Sequence, residues 1–204
     1  IEYLETALPS SSNPSGAVFY PEQFDQSFTF NDLTHKGALT AIRIEGPSNS
    51  VDQRIKNLST ELGLLENEYS ILESVQTKIF WNKTKNLEIF SNSKKNLLRI
   101  VVPISETLSV LQKMKPYEIN YFLDWGGSLI WVELEKISLK ILREIKDIMQ
   151  QHSGYFTIIK VEDDLKASAD IFTIDPIKYK ISEKIKKSFD PKRIFNPGKM
   201  YSGI

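Results

Sequence analysis

Between residues 97 and 162 the chain alternates strand-like and helix-like periods in one order, and that order constrains the fold more than any other feature. Leu97–Pro103 reads as a strand, and Leu108, Leu111 and Met114 mark a short helix that Pro116 ends. Ile119–Trp125 and Ser128–Glu135 read as two strands joined at Gly126-Gly127, a dipeptide that supplies the positive φ of a tight hairpin. Ile137–His152 is a predicted helix with Leu139, Leu142, Ile145 and Met149 on one side and Gly154 closing it. Tyr155–Glu162 returns to strand periodicity. The succession βαββαβ is the split ferredoxin-like unit. It predicts an α+β fold, a ferredoxin-like antiparallel sheet with helices on one face.

The flanks follow from turn chemistry. Residues 1–38 are crowded with Pro9, Ser10–Ser12, Asn13, Pro14, Gly16 and Pro21, and read as a connecting segment with one short strand near Ala17–Tyr20. Ile42 to Glu45 alternate as a half-buried strand that Gly46-Pro47 ends. Ser48 or Asn49 can cap the helix after it, whose face carries Val51, Ile55, Leu58 and Leu62, with Gly63 as a left-handed stop. Ser70-x-x-Glu73 has capping-box spacing for a further helix through Trp81. Asp163–Asp170 reads as a polar loop; Asp175-Pro176 opens a last helix with Ile177, Ile181 and Ile185 spaced by four. Asp190-Pro191 and Asn196-Pro197-Gly198 then force a non-helical tail. The expected organisation is a connecting segment over 1–38, a ferredoxin-like domain over 39–170, and a terminal helix and tail over 171–204.

Charge and composition remove several functional classes. Acidic and basic residues balance at 26 each, so no field of one sign draws in nucleic acid or anionic lipid. Lys178–Lys187 is interrupted by Ile181 and Ile185 and balanced in part by Glu183, which reads as a solvated helix face. There are no cysteines, which excludes disulfides, a thiol nucleophile and Cys-ligated metal within the chain. Apolar runs such as Ile100–Ile104 are too short to span a bilayer and no secretory signal is visible, so a cytoplasmic setting is the default. A start at Ile1 without Met points to a fragment.

Motifs that carry chemistry are sparse. No GxGxxG follows a strand and no Walker, HExxH or nucleophile-elbow pattern occurs. His35 and His152 are far apart, and His152 sits at a helix end where a cation favours the dipole. No metal site and no catalytic residue is assigned. Two segments stand out from scaffold. Asp124-Trp125-Gly126-Gly127 through Trp131 puts two indoles on one hairpin, and Phe189-Asp190-Pro191 through Asn196-Pro197-Gly198-Lys199-Met200 packs turn formers among apolar anchors.

That tail resembles the C-terminal signature of FAD-linked oxidases of the vanillyl-alcohol-oxidase type, which includes glycolate oxidase subunits and D-lactate dehydrogenases. The Trp125-Gly126-Gly127…Trp131 element, Phe80-Trp81 with Ile89-Phe90, and Arg43-Ile44-Glu45-Gly46 are similar to the FAD-binding subunits of bacterial glycolate oxidases, and the likeness spans roughly residues 36–204. In such proteins an N-terminal domain grips FAD, a cap domain shapes the substrate site, and the last residues return to the FAD domain. The resemblance therefore implies the cap and tail of an FAD-dependent 2-hydroxy-acid oxidoreductase subunit. It implies FAD as cofactor, held tightly only with the missing domain, and a small 2-hydroxy acid as substrate. The partners implied are a catalytic flavoprotein subunit and an iron–sulfur subunit, with peripheral attachment to the inner membrane through them. The alternative is a non-catalytic docking subunit of the same complex; a small-molecule sensor would have no use for the returning tail. Arg43, Glu45, Trp125 and Trp131 are the implied substrate-facing residues, with Arg43 either the carboxylate contact or a strand-surface salt-bridge partner, and Asn196, Pro197 and Gly198 the implied cofactor-facing ones. Ile130 and Tyr155 depart from the family, which often has a basic residue and a His at those places.

Overall fold

The computed structural model describes residues 1–22, 37–72, 74–162, 165, 169–173, 175–199 and 201. His35, most of the 163–170 loop and Glu73 of the expected capping box lie outside the described residues. The described elements in chain order are α1 (Glu2–Ala7), β1 (Gly16–Tyr20), β2 (Leu39–Arg43), α2 (Ser48–Glu61), α3 (Ser74–Lys85), β3 (Asn96–Val101), α4 (Ile104–Met114), β4 (Asn120–Asp124), β5 (Leu129–Leu134), α5 (Leu139–Gln151), β6 (Tyr155–Lys160) and α6 (Pro176–Phe189). The stretch β3-α4-β4-β5-α5-β6 is the βαββαβ succession that the periodicity predicts, and the fold is α+β, consistent with a ferredoxin-like arrangement. Beyond the predicted elements, the first residues form α1, which the scattered turn formers of 1–38 had hidden.

The chain divides into two compact units, Ile1–Lys94 with Asn120–Ile130, and Lys95–Ile119 with Trp131–Ile204. Of the six strands, the first unit carries β2, β1 and β4 in that order, and the second carries β3, β6 and β5 from Trp131 onward. The registers Gly16↔Arg43 through Tyr20↔Leu39, Phe19↔Leu123 and Val101↔Tyr155 are antiparallel.

In the first unit the core is aromatic. Tyr20 stacks on Phe122 with centroids 4.9 Å apart, Phe90 lies 5.8 Å from Phe122, and Phe80 meets Tyr20 edge-on at 6.4 Å. Such pairs add roughly 0.5–1.5 kcal/mol each beyond area burial. The Tyr20 hydroxyl shares a buried 2.9 Å hydrogen bond with Thr84 Oγ1 of α3, and burial pushes the phenol well above its usual range. Helix α2 ends as the sequence suggests: Gly63 sits at φ 67 and the Leu64 N–H reaches the Ser59 carbonyl at 2.9 Å, a Schellman closure.

In the second unit α4 buries Val110, Leu111 and Met114, and α5 buries Leu142, Ile145 and Met149. The two helices pack on each other, and β6 runs beside α5. Ser138 caps α5 by accepting from the Ile141 N–H at 3.2 Å. His152 follows the helix as its C-cap, and its Nδ1 lies 2.6 Å from Glu106 Oε2 of α4, so it serves the α4–α5 packing. The left-handed stop differs from the expected one. Ser153, at φ 53, takes that conformation, and Gly154 follows with its N–H bonded to the Met149 carbonyl at 2.8 Å. Gly154 is needed for space instead: an added Cβ would lie 2.4 Å from Val102 Cγ1 and 3.0 Å from the Val101 carbonyl oxygen.

Candidate functional site

One end of the first unit's strands gathers polar and aromatic side chains. Gly16 opens β1 opposite Arg43, the last residue of β2. Because β1 pairs with β4 at Phe19↔Leu123, the turn after β4, Trp125–Gly127, runs to the same end and packs along β1. The register therefore brings Arg43, Glu45 and Trp125 to a shared edge, although they are distant in sequence.

Arg43 is held from several sides. Its guanidinium carbon lies 5.0 Å from the Trp81 ring centroid, a cation–π distance. Its Nε donates to Ser15 Oγ at 3.0 Å and lies 3.2 Å from Glu45 Oε2, and its Nη2 donates to the Ser15 carbonyl at 3.4 Å. Trp81 can lie this close because residue 16 is glycine: a Cβ there would stand 3.2 Å from Trp81 Cη2. Neither Ser15 nor Trp81 was expected beside Arg43. The sequence signal was the glycine that starts β1, whose reason is a long-range stacking partner.

Arg54 of α2 fixes the backbone around this cluster. It donates from Nε to the Ser12 carbonyl at 2.8 Å, from Nη2 to that of Asn13 at 2.7 Å, and from Nη1 to that of Glu45 at 2.9 Å. Ser12 returns a 2.8 Å bond to the Arg54 carbonyl. A guanidinium fork that satisfies carbonyls on two loops at once is a positioning device for Glu45.

The Gly-Gly connection is longer than the expected two-residue joint: Trp125 to Ser128 separate β4 from β5, and the first three form a single turn. Trp125, Gly126 and Gly127 all have positive φ, at 49°, 64° and 103°. For a bulky residue such as Trp125 that conformation costs about 1–2 kcal/mol. Asp124 Oδ1 accepts from the Trp125 N–H at 2.7 Å and Ser128 Oγ donates to the Trp125 carbonyl at 3.0 Å, which holds the turn. Leu8 covers Gly126 so closely that a Cβ would fall 2.2 Å from Leu8 Cδ1. The Trp125 residue is left 57% exposed.

The remaining candidates belong to the second unit. Trp131 is half-buried on β5. Asn196, Pro197 and Gly198 are exposed in the tail, with Asn196 at φ 47 and Gly198 at φ 67, and the Lys199 N–H reaches the Asn196 carbonyl at 3.3 Å. The tail is folded around Asp190. Its Oδ1 accepts from the Ile194 N–H at 3.0 Å, its Oδ2 accepts from the Phe195 N–H at 2.9 Å, and Lys186 Nζ lies 2.8 Å from Oδ2. The Lys186 ammonium, with those two N–H donors, holds the Asp190 carboxyl down at about 2. Asp175 caps α6 through 2.9 Å bonds from the Ile177 and Lys178 N–H groups.

Helix α6 buries none of its residues. Its predicted apolar stripe faces outward: Ile177, Ile181, Ile185 and Phe189, followed by Ile194 and Phe195, are 53–86% exposed. The expected solvated lysine face is thus only part of the picture, because the apolar stripe lies between the lysines and is equally bared. Among the described residues no cluster of His, Cys, Asp and Glu could hold a metal ion, and no helix is long and apolar enough to cross a membrane. No protein-family model and no curated protein sequence matches the chain.

Proposed function

We propose that the chain is the substrate-side domain of an FAD-dependent 2-hydroxy-acid oxidoreductase subunit, working against a separate flavin-gripping body. The observation that carries this reading is the bared stripe of α6 and the tail. Six large apolar side chains are exposed along one segment, and together they offer on the order of 700 Å². That is close to the roughly 800 Å² each partner contributes to a standard interface. It lies on the same segment whose residues resemble the family's returning tail. Five lysines against one glutamate in α6 suit a partner surface that is apolar at its centre and bordered by carboxylates.

FAD, when bound, would accept the hydride of the substrate's α-carbon. The described residues offer no Gly-rich phosphate cradle, so this chain's part would be to orient substrate and cover the ring. Asn196, Pro197 and Gly198 are the exposed groups of the tail available to the cofactor. Arg43 and Trp125 are those available to a substrate. The same stripe also suits the alternative, a non-catalytic docking subunit of a glycolate oxidase complex.

The experiment is made on the protein purified from the cells that produce it, with its flavin absorbance followed under anaerobic addition of glycolate or D-lactate. Bound flavin that bleaches supports the catalytic reading. Flavin that is present and never bleaches leaves only the docking role. Absence of flavin from every preparation and every co-purifying partner would end both.

A further inference from the structure

We propose that Glu45 is a built-in surrogate for a small acid's carboxylate, seated on the Arg43 guanidinium that Trp81 and Ser15 hold in place, and displaced when such an acid binds. Three features of the guanidinium make it a prepared receptor. It lies over the Trp81 ring at 5.0 Å, its Nε and Nη2 are pinned to Ser15 Oγ and O, and its side chain is only 34% exposed. A guanidinium fixed in this way has already lost most of the rotamer freedom that binding would otherwise remove.

The contact that Glu45 makes is the weak member of the cluster. It engages Nε through one oxygen at 3.2 Å, and its side chain is 60% exposed. An exposed, single-point ion pair is worth little and exchanges readily. Nη1 donates to no group of the described residues, so the Nη1–Nη2 edge can take a two-oxygen, charge-assisted contact that Glu45 does not use. Glu45 itself is placed by Arg54, whose Nη1 holds the Glu45 carbonyl at 2.9 Å. The backbone that carries the competing carboxylate is therefore anchored beside Arg43, while the exposed carboxylate itself can swing off the guanidinium. The consequence is a site that prefers an incoming carboxylate only when it binds the fork better than Glu45 does, which selects small, unhindered acids. The inference rests on the functional reading above only in identifying that acid as the substrate.

The test uses the intact chain labelled with nitrogen-15, with the indole N–H signal of Trp81 assigned through Trp81→Phe and followed during titration with sodium glycolate. Sodium chloride at equal ionic strength is the control. A saturable shift of the Trp81 signal with glycolate and not with chloride is expected. Glu45→Gln should tighten binding by about two- to five-fold, the scale of losing one exposed ion pair. Arg43→Lys, which keeps the charge and loses the fork, should weaken it several-fold while the other two indole signals stay in place as a check on folding. No saturable shift in either the natural chain or Glu45→Gln overturns the site. Unchanged or weaker binding in Glu45→Gln overturns the surrogate role. Flavin bleaching that survives without the Trp81 shift refutes this inference and spares the functional reading; the shift without bleaching does the reverse.

Discussion

Replacing Gly154 with alanine isolates a steric cost that backbone conformation does not complicate. The added methyl would stand 2.4 Å from Val102 Cγ1, 3.0 Å from the Val101 carbonyl oxygen and 3.3 Å from Met149 Sδ. Carbon pairs pack at about 3.5–4.0 Å, so the strand or the helix must shift by about 1 Å. Val102 is 2% exposed, and Val101 pairs with Tyr155 in the β3–β6 ladder, so neither neighbour can swing into solvent. Overpacking of this kind costs typically 1–3 kcal/mol, and a backbone neighbour puts this case at about 2–3 kcal/mol. For a chain of this size that lowers Tm by about 4–12 °C. Urea and thermal unfolding followed by far-ultraviolet circular dichroism measure it. Val102→Ala removes the nearest atom, so the double variant should lose at least about 1 kcal/mol less than the two single losses together. A Gly154→Ala loss below about 0.5 kcal/mol, or strictly additive losses, would refute the steric account. Ser153→Gly serves as the internal contrast: it relieves the φ of 53° and should stabilise by up to about 1 kcal/mol.

Further outcomes follow from the same structure. Tyr20→Phe should cost about 1–2 kcal/mol, since it takes the buried hydroxyl partner from Thr84, and the same denaturation series measures it. Asp190 has its carboxyl held down at about 2, so its contribution is fully present above about pH 4 and is lost as pH falls through about 2; Asp190→Asn should flatten the acid-unfolding curve across that window and lower stability at neutral pH. Phe80→Ala should cost about 3–5 kcal/mol by opening the aromatic core, read by the same unfolding experiments.

Much of the local architecture was legible because each element carries its own signals. The stripe Leu139, Leu142, Ile145, Met149 specifies α5 in isolation, and Asp175-Pro176 specifies where α6 begins. Gly63 announced the end of α2 for the same reason, since a Schellman closure needs only residues within one turn. Residues 1–22 were harder. Leu4 and Ala7 are fully buried and β1 lies between β2 and β4, yet nothing in a run of Ser, Pro and Asn states which strands will flank it.

The candidate site shows the same boundary. Arg43, Glu45 and Trp125 were singled out by resemblance, but their grouping depends on strand register, which a single segment does not encode. Ser15 and Trp81 became visible only once β1, β2 and α3 were folded together, and the close cover of Gly126 by Leu8 only once the end of α1 met the turn. The outward stripe of α6 divides the two kinds of information most clearly. Its spacing by four was readable from Ile177, Ile181 and Ile185 alone, because helical periodicity is local. Which way it faces was decided by Asp190, Lys186 and Tyr179: the first two pair in the tail turn and Tyr179 meets Tyr201 edge-on at 6.1 Å, holding the opposite side of the helix against the tail. Sequence therefore determined which residues share a face, and tertiary packing decided whether that face meets the core or the solvent, because burial is a property of neighbours.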